Sequence, residues 1–159
     1  MPRNYTSTAP LLRPDPKFGS MLATKIINKL MWDGKRSTAQ SVFYEAIDMA
    51  RQKLPDVQDP SEIFTKAVDN VRPMVEVRSK RVGGANYQVP REVKRARQQS
   101  LAIRWIIENS RKKKGKAMAR KLSEELVDAF NGTGASVQWK EQVHKMAEAN
   151  KAYAHYASH

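Results

Sequence analysis

Residues 73–93, PMVEVRSKRVGGANYQVPREV, constrain the fold more than any other stretch of the chain. Val75, Val77, Tyr87 and Val89 carry strand propensity on either side of a paired glycine. Gly83-Gly84 supplies a turn that accepts positive φ, and Arg78, Lys80 and Arg81 lead into it. The pattern predicts a basic two-stranded β-ribbon over about 73–90, followed by a helix that starts at Arg91 just after Pro90. An isolated hairpin is marginal in water, so the base of the ribbon must be anchored to a larger body. The plain alternative is an ordinary surface hairpin whose cations only block strand pairing.

The charge distribution argues against that alternative. The chain has 29 Lys and Arg against 16 Asp and Glu, a net charge of +13. Residues 72–97 carry +6 and residues 111–121 (RKKKGKAMARK) carry +7, so the remainder is electroneutral. A local excess on a folded scaffold builds a directed field, and counterion release favours binding to phosphate backbones. An anionic membrane offers a similar charge. However, there is no long apolar run, lipidation signal or strongly apolar amphipathic helix to accompany it. Cysteine is absent, which excludes disulfides, thiolate metal sites and cysteine nucleophiles.

With 159 residues the default is one domain. Four of the eight prolines lie in the first sixteen residues, which denies helix to residues 1–17 and predicts an extended arm. No secretory or import signal is evident there. Residues 18–152 read as a single helical domain and 153–159 as a tail. The first helix follows Gly19-Ser20 and ends at Asp33-Gly34. Ser37 is the expected cap of the second, whose stripe is Ala39, Val42, Phe43, Ala46, Ile47, Ala50 and Leu54. Asp59-Pro60 starts the third and Pro73 ends it. The fourth spans Arg91 to Asn109, with Val93, Ala96, Ser100, Ile103 and Ile107 on one face. Ala119, Leu122, Leu126, Ala129 and Phe130 mark a fifth, and a last helix runs from about Ser136 to Lys151. The predicted fold is mainly α: a six-helix bundle with a protruding β-ribbon between the third and fourth helices.

Catalytic groups do not converge. His144, His155 and His159 lack metal-ligand spacing, and Gly83-Gly84 is no phosphate loop. Glu124, Glu125 and Asp128 read as a solvated face answering Arg120 and Lys121. Binding chemistry is better represented. Arg78, Lys80, Arg81, Arg91, Lys94, Arg95 and Arg97 are candidates to clasp phosphates from the ribbon and the helix after it. Lys112, Lys113, Lys114 and Lys116 offer a second, flexible contact, and Lys35-Arg36 a third. The helix after the ribbon carries cations in its first turns, against its macrodipole, which implies an external anion. Contacts spread over several loops suit a folded RNA. Trp32, Trp105 and Trp139 are candidates to stack on bases, with Trp139 expected to be the exposed one and Trp105 at least partly buried. Tyr87 is a stacking candidate or a core residue.

Several longer motifs carry a resemblance. They are Asp15-Pro16 with Gly19-Ser20, Ile27-Asn28-Lys29, Asp33-Gly34-Lys35-Arg36, EVRSKRVGGANYQVP (Glu76 to Pro90), Leu101-Ala102-Ile103-Arg104-Trp105 and HKMAEANKAYAHY (His144 to Tyr156). In their order and spacing the chain resembles the small-subunit ribosomal protein seven family of bacteria and organelles. The resemblance implies a helical body with a β-ribbon. It also implies direct binding to the 3′ major domain of small-subunit rRNA, initiation of head assembly, and a position near the exit-site tRNA and mRNA path. Ribosomal protein eleven of the small subunit and other head proteins would be partners, and the protein would be a monomer within the ribosome. By the same resemblance, Lys80, Arg81, Val82, Gly83, Gly84 and Ala85 form the tRNA- and mRNA-proximal ribbon tip. Lys35, Arg36, Arg95 and Arg97 would face rRNA, and Arg3 and Arg13 would lie on an arm threading into RNA. No cofactor, metal or enzymatic turnover is implied, and the location is the bacterial cytoplasm or an organelle. The chain departs from the family pattern at Gln138-Trp139, where members often carry a basic pair, and at Ala157-Ser158-His159, where many carry a basic-aromatic tail. The competing reading is a DNA-binding architectural protein, for which Val82 is a poor wedge. An RNA-processing enzyme would need Glu124 and Asp128 to hold a metal.

Overall fold

A computed structural model describes Asn4 and residues 6–158. Arg3 and His159 lie outside the described residues. The described residues form six α-helices, two 3-10 segments and one two-stranded antiparallel sheet. In chain order the elements are α1 (Met21–Leu30), α2 (Arg36–Lys53), α3 (Pro60–Val71), β1 (Val75–Val82), β2 (Ala85–Glu92), α4 (Arg95–Lys112), α5 (Met118–Phe130) and α6 (Gly134–Ala149). The 3-10 segments are Ala9–Leu11 and Lys151–Ser158. The fold is the expected one: mainly helical, with the ribbon between α3 and α4.

The core follows from the apolar stripes. Ala39, Phe43, Ala46, Ile47 and Ala50 of α2 are buried, as are Ile63, Phe64, Ala67, Val68 and Val71 of α3. Leu122, Leu126 and Ala129 of α5 close against them. Phe43 and Phe64 are fully buried with ring centroids 5.5 Å apart, and Phe18 meets both edge-on. Each such side chain contributes about 1.5–3 kcal/mol through removal from water. Phe18 reaches this cluster because the chain just before α1 is folded back. Asp15, 1% exposed, accepts from Lys17 N, Phe18 N and the Tyr44 hydroxyl, and Ser20 caps α1 by accepting from Ala23 N. Thr24 Oγ1 donates to Arg13 O, so the last part of the stretch expected as an extended arm is tied to α1.

Several element boundaries differ from expectation. Strand β2 runs on through Pro90, Arg91 and Glu92, which pair with Val77, Glu76 and Val75. Helix α4 therefore begins at Arg95, with Lys94 as its N-cap, and not at Arg91. Proline suits the first turn of a helix, but it is equally tolerated on an edge strand, and in a two-stranded sheet both strands are edges. The expected face of α4 is buried only in part: Ile103 and Ile107 are inward, joined by Ala102 and Ile106, while Ala96 and Ser100 in its first turns are exposed. Helix α2 starts at Arg36 with Lys35 at the N-cap and no side-chain cap, so Ser37 does not play that part. The last helix spans Gly134–Ala149, two residues displaced toward the N-terminus.

At the far end of the ribbon, Val82 pairs with Ala85 and leaves Gly83-Gly84 as a two-residue turn with φ of 59° and 84°. Positive φ at both positions is the mirror-image turn that matches strand twist, and glycine takes it without a Cβ penalty.

Candidate nucleic-acid interface

The base of the ribbon is fixed by a carboxylate. Glu76, 8% exposed on β1, accepts from Arg97 Nε and Nη2 of α4 at 3.0 Å each and from Arg78 Nε at 3.1 Å. Burial pushes the Glu76 carboxyl up. Hydrogen bonding and charge from Arg97, followed by the charges of Arg78 and Arg91, outweigh that and hold it below the ordinary carboxylate range. The same hydrogen bond holds the Arg97 guanidinium above its usual value. One buried anion thus sets the spacing between ribbon cations and α4 cations while leaving Arg78 and Arg97 nearly half exposed. A second anchor joins ribbon to α6: His144 Nε2 accepts from Met74 N at 3.1 Å. Burial, then the Lys140 charge, lowers the His144 pKa, with Glu141 opposing, so the ring is neutral and able to accept.

Arg91, Lys94 and Arg95 are exposed beside that base, Arg91 from β2 and the other two at the start of α4. The first turn of α4 has no acidic residue and no side-chain cap, and α2 begins the same way behind Lys35 and Arg36. Two helix N-termini without a side-chain cap and with neighbouring cations are ready anion contacts. Arg36 donates to Asn28 Oδ1 at 2.6 Å, which directs it toward α1.

The structure adds a feature the sequence reading missed. Lys25, Lys29 and Arg104 line an open groove of about 450 Å³ between α1 and α4, together with Asn28, Ser100 and Ile103. Lys25 and Lys29 are one turn apart, and all three cations are exposed. Arg97, Arg104 and Arg111 recur at every seventh position of α4, so they follow one stripe with spacings of roughly 10 Å. The stripe runs from the ribbon base, past the α1–α4 groove, to Arg111, which donates to Leu30 O at the end of α1. The heptad spacing was the available signal. A stripe whose members are seven residues apart leaves no local cluster of charge in the sequence.

Other predicted contacts are differently employed. Lys113 lies 3.3 Å from Glu125 Oε2, and Lys116 donates to both oxygens of Glu124 at 2.8 and 3.0 Å. The hydrogen bond from Lys116, then the charges of Lys116, Lys113 and Lys53, hold the Glu124 carboxyl below its ordinary range. This connection is therefore half committed to α5, and only Lys112 and Lys114 stand away from that lock, exposed. Glu125 is not part of a solvated face. It is fully buried and accepts from Ser136 N and Ser136 Oγ, satisfying a donor in the first turn of α6. Its position three residues after Leu122 puts it on the inward side of α5. Tyr87 packs against Tyr153 and Tyr156, with centroids 5.1 and 5.2 Å away, and Lys80 donates to Tyr156 O at 2.7 Å. The segment 151–158 thus lies along β2, and Tyr87 is spent on it. Arg81, Gly83, Gly84 and Ala85 at the tip are exposed, with Val82 half-buried. Trp139 is 40% exposed and half-buried Trp105 meets it edge-on at 6.4 Å, whereas Trp32, at 66%, is the most exposed of the three.

Among the described residues no cluster of His, Cys, Asp and Glu could hold a metal ion, and no helix is long and apolar enough to cross a membrane. Residues 2–151 match the family described as Ribosomal protein S7p/S5e. The chain is 54% identical over 143 residues to a protein of Thermotoga petrophila named small ribosomal subunit protein uS7, covering 90% of this chain and 91% of the relative. A protein of the same name from Carboxydothermus hydrogenoformans is 53% identical over 156 residues, covering 98% of this chain and 99% of its own. A third, from Thermosipho africanus, is 55% identical over 143 residues, at 90% and 91% coverage. The resemblance carried by Glu76–Pro90 and His144–Tyr156 therefore extends along the molecule, and the chain belongs to the Ribosomal protein S7p/S5e family.

Proposed function

We propose that this protein is a structural constituent of the small ribosomal subunit and grips a folded junction of small-subunit rRNA across the face built from α1, α4 and the ribbon base. The observation that carries the reading is the arginine stripe Arg97–Arg104–Arg111, flanked by Lys25 and Lys29 on one side and by the Glu76-organised ribbon cations on the other. Lys35, Arg36, Arg78, Arg91, Lys94 and Arg95 extend the contact, with Lys112 and Lys114 at its margin. Phosphate binding along such a surface is driven by counterion release, and it is made selective by the fixed spacing of the cations against a folded RNA.

The finer assignment follows the family. The RNA is the 3′ major domain, binding begins head assembly, and the tip Lys80–Ala85 projects toward exit-site tRNA and mRNA. Arg3 and Arg13 guide the N-terminal residues into RNA. Ribosomal protein eleven and other head proteins are neighbours, and the protein works in the ribosome of the bacterial cytoplasm or of an organelle. It acts by binding, with no cofactor and no turnover. A duplex-DNA architectural role would need an apolar wedge at the ribbon tip, whereas the turn there is Gly83-Gly84.

Chemical footprinting of the full chain on small-subunit rRNA tests this. The expected result is one contiguous set of protections at a multi-helix junction of the 3′ major domain, not displaced by equimolar duplex DNA. Dispersed protections, or equal affinity for duplex DNA, would overturn it.

A further inference from the structure

Beyond α6, the 3-10 segment Lys151–Ser158 turns along β2 and lays two tyrosines against Tyr87, with ring centroids at 5.1 Å for Tyr153 and 5.2 Å for Tyr156. Tyr153 and Tyr156 also stack on each other, 6.4 Å apart with their planes 12° from parallel. Lys80, the cross-strand partner of Tyr87, donates to Tyr156 O at 2.7 Å, so the segment engages both strands. Glu76 pairs with Arg91, four residues nearer the base than Tyr87. The tyrosine contact therefore lies about 13 Å further out along the ribbon than the Glu76–Arg97 anchor. Lys151 to His155 are exposed, and none of the segment's described residues belongs to the buried core. The segment thus adds little to the helical body, while its tyrosines close on the ribbon.

We propose that Tyr153 and Tyr156 are positioning residues: with Tyr87 they form a clasp that fixes the angle of the ribbon against the helical body and so pre-organises it for binding. The inference rests on the RNA-binding reading above and deepens it. A two-stranded ribbon has no third strand to stiffen it. The Glu76–Arg97 and Met74–His144 contacts hold only its base. A second support further out converts a pivot into a fixed arm. Arg78 and Arg81 are then held at one distance from Lys94 and Arg95, and the ribbon does not have to be ordered when RNA binds. The tyrosine rings carry no charge, so their effect on affinity is independent of counterion release. Ring packing is the operative contact, because the polar link to Lys80 uses the backbone oxygen of Tyr156 and not a hydroxyl.

The test uses the full chain, first alone and then with a transcript of the 3′ major domain of small-subunit rRNA. In the free protein, Tyr153→Ala/Tyr156→Ala is expected to lower amide-exchange protection of residues 79–88 by about tenfold or more, with α2 and α3 unchanged. With the transcript it should weaken binding roughly 3- to 20-fold at an unchanged salt slope, and Tyr153→Phe/Tyr156→Phe should stay within about twofold of wild type. Adding Tyr87→Ala to the double alanine variant should cost no further affinity, since one clasp is already open. Unchanged protection of 79–88 overturns the clasp. Loosened protection with wild-type affinity overturns its positioning role, and so does an additive loss on adding Tyr87→Ala, which would mean that the rings touch RNA separately. Arg104→Gln judges the reading beneath. If it flattens the salt dependence while the double alanine variant binds as wild type, the clasp proposal alone fails. If the wild-type chain binds the transcript with no salt dependence, the RNA reading fails, whatever the exchange result.

Discussion

Asp15 illustrates how single residues hold this molecule in shape. Its carboxylate is almost inaccessible, yet each oxygen has a donor: Lys17 N and Phe18 N on one, the Tyr44 hydroxyl at 2.6 Å on the other. Burial, followed by the hydrogen bond and charge of Asp15, pushes the Tyr44 pKa up to about 12. Tyr44→Phe removes one donor from a buried carboxylate and should lower stability by about 1–3 kcal/mol in denaturant titration. His144 acts at the ribbon base with the opposite charge logic. Its pKa lies below the ordinary 6.5, so the unfolded chain binds a proton that the folded chain resists. Stability from this residue is intact above about pH 6.5 and declines as pH falls through the window below it. The charged groups facing it are Lys140 and Glu141 on α6; Arg91 and Glu92 of β2, with Glu148 and Lys151, line the same pocket. The melting temperature should therefore fall more steeply between pH 6.5 and 5 for the wild-type chain than for His144→Gln, whose amide oxygen still accepts from Met74 N. Parallel curves would contradict this.

At the scale of elements, the helices were legible because their apolar stripes are clean: α2 and α3 bury the residues whose spacing marks them. The ribbon was legible from Gly83-Gly84 and its flanking Val and Tyr residues. The boundary between ribbon and α4 was not. Pro90 and the basic run after it are compatible with a helix start, and only the pairing of Arg91 with Glu76 across the sheet decides for strand. Glu125 was misread for a related reason. A carboxylate on an apolar face looks like a surface residue until its partner, Ser136, arrives from another helix. The ribbon is anchored at Glu76 and His144, far from its tip. Replacing Lys80–Ala85 with a minimal turn should leave the melting temperature of the helical body within about 2 °C, while loosening residues 151–158 through loss of the Lys80 contact to Tyr156 O. A large drop in melting temperature would show that the tip supports the core.

At the scale of the whole molecule, the two charge blocks visible in the sequence are unequal. The block around the ribbon stays open to solvent, whereas the 111–121 block turns partly inward onto Glu124 and Glu125. The interface instead gains Lys25, Lys29 and Arg104, whose contribution depends on α1 packing beside α4 and so is invisible to a count along the chain. The proposed binding mode requires cations from distant positions to share one rigid face. The salt dependence of rRNA affinity tests that claim most directly. Arg95→Gln/Arg104→Gln should make the slope of log K against log salt shallower by roughly one to two units, and Lys66→Gln, on α3 against Phe130, should leave it unchanged. An unaltered slope in the double variant, or an equal change from Lys66→Gln, would contradict a single binding face.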